Sequence, residues 1–144
     1  MGRSLTFDRG KVHTPHLAAQ LRDFSGLRYG KITPTDIDGF MDFGNCLHVF
    51  IEAKLSGNAL PRGQELALER LVDNCAVANI NAIGIVCEHT NRVGDIKIAD
   101  CIVTRCRWRG RWQKPRSLIT VRFAIDRILH VCQLDHYLYE GNIS

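Results

Sequence analysis

Three polar residues within positions 32–57, ITPTDIDGFMDFGNCLHVFIEAKLSG, have the types and spacing that chemistry needs: Asp38, Glu52 and Lys54. From Ile37 to Phe43 the odd positions are Ile37, Gly39, Met41 and Phe43, and the even ones are Asp38, Phe40 and Asp42. From Cys46 to Lys54 the odd positions are Leu47, Val49, Ile51 and Ala53, and the even ones are Cys46, His48, Phe50, Glu52 and Lys54. Both runs alternate as strands do. Gly44 and Asn45 between them are turn residues, so the expected structure is an antiparallel hairpin with both odd faces packed into one core. Odd must then oppose odd, so the numbers of paired residues sum to an even value. A two-residue loop of Gly44 and Asn45 gives an odd sum, which favours a three- or five-residue loop or a bulge. With Gly44, Asn45 and Cys46 as the loop, Asp38 lies directly opposite Glu52, about 5 Å away.

Two carboxylates that close repel each other unless a cation sits between them. A divalent metal is the economical answer, because Mg²⁺ takes oxygen ligands and needs only one or two protein carboxylates. Lys54 stands on the same face, about 6 to 7 Å from Glu52 along the strand. The same three residues also read as a solvated strand face with a weak cross-strand ion pair. Spacing alone leaves both readings standing.

An Asp at the start of one strand, followed after a hairpin by Glu-x-Lys near the end of the next, resembles the PD-(D/E)xK nuclease superfamily. The wording DFSGLRYGKITPTDIDGF is similar to that of small phage-encoded members. Pro34 and Asp36 also stand where the superfamily's name directs attention, but Asp38 is the one level with Glu52, and Asp42 falls too near the turn. The resemblance implies that Asp38, Glu52 and the carbonyl of Ala53 hold Mg²⁺, with Mn²⁺ as the alternative, and that Lys54 orients or activates the attacking water. In one branch of the superfamily a Gln at the start of the next helix sits beside the catalytic Lys, and Gln64 matches that place; otherwise it is a solvated first-turn residue. The implied activity is hydrolysis of DNA phosphodiesters. The implied fold is a restriction-endonuclease-like α/β sandwich, a mixed central sheet flanked by helices. There is one departure. Many members carry a Glu on the first helix that reaches the metal, and no Glu precedes Glu52 here. Asp23 or Gln20 could replace it, although outward-facing helix polars are the commoner reading. The departure keeps open a nuclease-like domain that binds nucleic acid or a host protein without cutting.

Other elements must position these residues. Thr14 suits an N-cap and Pro15 a first helical position, so a helix is expected over His16 to Phe24, with Leu17, Leu21 and Phe24 at helical spacing. Gly63 to Ala78 reads as a second helix with a broad apolar stripe of Leu66, Leu68, Leu71, Val72, Cys75 and Ala76. Arg62 and Arg70 could meet phosphates or pair with Glu65 and Glu69. Ala82 to His89, AIGIVCEH, is an apolar run suited to a central strand parallel to the Glu52 strand, joined to it by a right-handed crossover. His89 at its end reads as a structural residue or as a metal-water or phosphate contact. A further strand is expected over Asp95 to Trp108, a reversal at Gly110, and a last amphipathic helix over Leu118 to Gln133. The order helix, strand, strand, helix, strand, strand, helix points to an α/β mixed sheet in one domain, 1–144.

The positive charge is local. Between Cys101 and Arg122 lie seven basic residues, Arg105, Arg107, Arg109, Arg111, Lys114, Arg116 and Arg122, and no acidic one; removing them from the net charge of +4 leaves −3. Trp108 and Trp112 interleave with the arginines. Cations neutralise phosphates and an indole stacks on an unpaired base, so Arg105 to Arg116 form the expected DNA contact, with a solvated strand packing its tryptophans as the alternative. Apolar content of 45% and charged content of 24% are ordinary for a globular chain. No apolar run has the length of a membrane span and the N-terminus lacks a signal-peptide core, so the cytoplasm is expected, the host's if the chain is phage-encoded. Six scattered cysteines without a CxxC read as buried reduced thiols; Cys101, Cys106 and His89 fit no zinc pattern well. Monomer and homodimer are both open.

Overall fold

A computed structural model describes residues 21–140, together with the backbone of 7–8 and 11–12. The chain divides into two compact units, 1–34 and 35–144. In the first, β1 (Phe7–Asp8) pairs antiparallel with β2 (Lys11–Val12), and a 3-10 turn spans Ser25–Leu27. The helix expected over His16 to Phe24 lies outside the described residues as far as Gln20. Leu21 to Phe24 are not helical, and Asp23 accepts the Ser25 N–H at 2.9 Å.

The second unit is built on a five-stranded mixed open sheet in the order β3 (Gly39–Phe43), β4 (Leu47–Leu55), β5 (Asn81–His89), β6 (Ile102–Trp108), β7 (Arg111–Gln113). Only β4 and β5 run parallel. Helix α1 (Arg62–Val77) carries the chain between them, within a residue of the expected bounds. Helix α2 (Val121–Val131) and the short α3 (His136–Glu140), which the sequence did not suggest, follow β7.

The central strands are buried on both faces because each face meets its own helix. Leu47, Val49 and Ile51 join Ile83, Ile85, Cys87 and Val103 beneath Val121, Ala124, Ile125 and Leu129 of α2. Phe50, Ala82 and Val86 lie on the other face beneath Leu68 and Val72 of α1. Alternation thus sends the odd residues of β4 to α2 and the even ones to α1. Gly84 lets α1 come close; a Cβ there would lie 3.3 Å from a methyl of Val72. The parity argument holds: Phe43 pairs with Leu47 across a three-residue loop, and every pair of the hairpin sums to the same even value as Asp38 and Glu52. Gly44 and Asn45 take the left-handed conformation there, with φ of 60° and 58°. Edge strand β3 leaves Phe40 and Met41 exposed, so only the β4 half of the expected hairpin core is fully buried.

Two boundaries move for local reasons. Residues 98–100 form a 3-10 turn, which delays β6 to Ile102. Thr120 caps α2, its hydroxyl accepting the Phe123 N–H at 3.1 Å, while Ile119 still bonds Val103 along β6. Arg109 and Gly110, both at positive φ, make the two-residue hairpin between β6 and β7. All six cysteines are free. Burial pushes the Cys87 thiol up to about 12 and that of Cys106 to about 11, whereas Cys46 in the β3–β4 loop is exposed. Among the described residues no helix is long and apolar enough to cross a membrane.

Candidate active site

Glu52 is the one charged side chain among the described residues that is buried, with 2% of its surface exposed. It sits on the α1 face of β4, paired with Val86 of β5 and one residue beyond the last β3 pair. Its Oε1 lies 3.4 Å from the Lys54 ammonium, and its Oε2 has no hydrogen-bond partner. Burial pushes the carboxyl up to about 7; the nearby Asp38 charge adds to the rise and Lys54 opposes it. A buried carboxylate with an unused oxygen is costly to leave in this state.

Asp38 stands in a bend just before β3, one residue beyond the last pair of the ladder, Gly39–Ile51. Its Oδ2 accepts the Ala53 N–H at 2.8 Å. N–H and C=O of one strand residue point to the same neighbour, so the Ala53 carbonyl also turns toward Asp38, beyond Gly39–Ile51 where the β3 ladder stops. Lys54 follows Glu52 on the same face with its side chain 23% exposed. Asp38, Glu52, Ala53 and Lys54 therefore come together. Asp36 is exposed and makes no hydrogen bond among the described residues, and Asp42 is committed at the turn, accepting the Asn45 N–H at 2.8 Å and lying 3.3 Å from His48 Nε2.

Gln64 reaches the same end of the sheet. It precedes Leu68 by one turn on the stripe that packs over Gly84, and α1 runs back against β4, so its side chain is carried about 5 Å toward the level of Val86 and Glu52. Its Oε1 is buried without a partner. His89 falls on the opposite face by alternation; its Nδ1 is also buried without a partner, and its carbonyl accepts the Ser56 N–H. The sequence reading passed over Glu88, which pairs with Lys54 in the β4–β5 register. Lys54 spacing on β4 together with Glu88 on β5 was the available signal.

Among the described residues no group of three or more His, Cys, Asp or Glu side chains is placed to hold a metal. The donors here are two carboxylates and one backbone carbonyl, the sparse oxygen set that suits Mg²⁺. The unpartnered Oε2 of Glu52 fits such an ion.

The basic segment is divided. Arg105 and Arg107 point to the α1 face, where Glu65, Glu69 and Asp73 stand at four-residue spacing. Arg105 bonds Glu65, and Arg107 holds Asp73 with two hydrogen bonds of 3.1 and 2.6 Å. The Trp112 indole N–H donates to Glu69 at 2.8 Å, and the Arg105 guanidinium lies 4.3 Å from the ring centre. Arg105 holds the Glu65 carboxyl below its usual range, and the Trp112 hydrogen bond does the same for Glu69. Arg62, which also bonds Glu65, and the exposed Arg70 were the other phosphate candidates. Trp108 packs against the α2 core with the Arg109 guanidinium 5.1 Å from its ring centre. Arg109, Arg111, Lys114 and Arg116 are exposed, with no carboxylate partner among the described residues. The tip at Arg109–Gly110 lies beyond Trp108, level with Ile83 and Val49, at the end of the sheet away from Lys54. That places it roughly 15–20 Å from Glu52 by strand geometry.

No family model, curated protein or solved structure matches this chain.

Proposed function

We propose that this protein is a metal-dependent nuclease that hydrolyses DNA phosphodiesters, with the restriction-endonuclease-like arrangement its motif resembles. The observation that carries the reading is Glu52: a buried carboxylate, level with a second carboxylate and beside a lysine, with one oxygen unused. Asp38, Glu52 and the Ala53 carbonyl would hold Mg²⁺ or Mn²⁺. When bound, the ion supplies Lewis-acid polarisation of the scissile phosphate. Lys54 donates to the water or phosphate oxygen next to Glu52 and neutralises developing charge. Gln64 offers an amide to the same water or phosphate. Glu52 near pH 7 is shared between proton and cation, so metal binding strengthens as pH rises through 7. Arg109, Arg111, Lys114 and Arg116 meet the DNA backbone away from the reacting phosphate, positioning it without reading sequence.

Calorimetric titration with Mg²⁺ and Mn²⁺, followed by incubation with duplex DNA, tests the proposal. Metal binding with cleavage is expected. Absence of both in the folded protein overturns it. Metal binding without cleavage favours the second reading, a nuclease-like domain that holds nucleic acid or a host protein; the lack of any Glu before Glu52 is what supports that alternative.

A further inference from the structure

Beyond β7 the segment 114–118 has no strand partner, and the chain returns to the outer side of β6 at Ile119, which accepts the Val103 N–H, and Thr120, which bridges to Ile102. Between this segment and the first turns of α2 lies a cleft of about 690 Å³, well within the range of ligand sites. Lys114, Arg116 and Arg127 line it and no carboxylate does. None of the three has an ion-pair partner among the described residues, in contrast to Arg105 and Arg107. Thr120, Phe123 and Arg127 stand at i, i+3 and i+7, one face of α2. Phe123 is 52% exposed and makes no ring contact among the described residues, and Leu118 beside it is exposed too. Both tryptophans lie under arginines; Phe123 does not.

We infer that this cleft holds an unpaired stretch of DNA, its phosphates on Lys114, Arg116 and Arg127 and a base stacked on Phe123. The inference rests on the nuclease reading and adds to it a preference for substrates with a single-stranded portion. Cations spaced along a groove answer the backbone of any nucleic acid, but a flat aromatic at its wall is useful only to a base without a pairing partner. The positive end of α2 adds to the attraction. The cleft lies on the α2 side of the sheet and Glu52 on the α1 side, but both reach the same end of it: Thr120 neighbours Ile102, Ile102 pairs with Glu88, and Glu88 pairs with Lys54, so a strand held at Thr120 would have to pass around that end to reach Glu52.

Fluorescence polarisation in EDTA, with labelled oligo-dT and a duplex of equal length, measures binding without cleavage. Phe123→Ala should weaken oligo-dT binding roughly fivefold or more, while duplex affinity changes less than twofold. Arg116→Ala with Arg127→Ala should flatten the salt dependence of oligo-dT binding by about 1.4 in the log–log slope. Phe123 is half exposed, so the variant keeps its fold, which the unfolding midpoint checks. If wild type binds and cuts duplex but Phe123→Ala binds oligo-dT as tightly, or loses both probes equally, the inference fails and the nuclease reading survives. If wild type binds neither probe, both fail.

Discussion

Two strands present charge to the same helix, and the two sets of charge are met differently. On β6, Arg105 and Arg107 meet a stripe of acids on α1, and each charge is answered by hydrogen bonds of 3.1 Å or less. On β4, Glu52 is more deeply buried than either arginine, yet one of its oxygens has no hydrogen-bond partner among the described residues. Charges committed to each other stabilise a fold; a desolvated charge held short of partners is where perturbed ionisation and function gather. The cationic strand is partly internal structure, and the unanswered charge lies instead at the hairpin, on the buried Glu52.

That contrast can be broken at several points. The largest expected effect is on cleavage: Asp38→Ala or Glu52→Ala should lower the rate about a thousandfold or more, the several kcal/mol a metal contributes to phosphoryl chemistry. Lys54→Ala should do the same while retaining much of the metal binding by calorimetry. Activity surviving in either carboxylate variant would remove these residues from the site.

Stability gives the next test. The Glu52 carboxyl is raised in the folded protein from 4.5 to about 7, so between those values the unfolded chain has lost a proton the folded one keeps, and stability falls as pH rises. Without metal, Glu52→Gln should therefore be more stable than wild type at pH 8, by something on the order of 2–3 kcal/mol, and similar at pH 4. Equal urea midpoints at pH 8 would mean the carboxylate is not strained.

Arg107→Ala should act oppositely, destabilising the fold by about 2 kcal/mol because Asp73 is left half-buried with its charge-assisted bonds gone. Arg109→Ala and Arg111→Ala should stay within about 0.5 kcal/mol. Equivalent unfolding curves for Arg107→Ala and Arg109→Ala would erase the distinction between internal and surface cations. The smallest effect is the finest: Arg109 and Arg111 changed together should flatten the salt slope of duplex binding by about 1.8 without altering metal affinity.

Much of the hairpin was legible beforehand because strand parity is arithmetic. Alternation fixed which residues share a face, an even sum fixed the loop, and Asp38 fell opposite Glu52. The crossover was equally plain, since a helical stripe between two apolar strands admits few arrangements. What could not be read locally was partnership across the chain. Arg105 and Glu65 are 40 residues apart, and Arg107 and Asp73 are 34 apart. Two complementary periods carried the hint, acids every fourth residue on α1 against arginines every second residue on β6. Trp108 and Trp112 were read as a pair, yet adjacent positions across a tight hairpin send them to different cores. Phe123 was hidden inside an amphipathic pattern, where an exposed aromatic looks like any other apolar position.

Gly84 has a consequence for the far end of α1. Val72 and Leu68 of the helix come close to the sheet where that residue lacks a side chain, and a methyl group there would have to displace Val72 or the helix by a few tenths of an ångström. Interiors packed at crystal density transmit such a displacement instead of absorbing it. The missing Cβ therefore acts as a fulcrum, setting how high the first turn of α1, and the amide of Gln64 with it, rides above the Glu52 carboxylate.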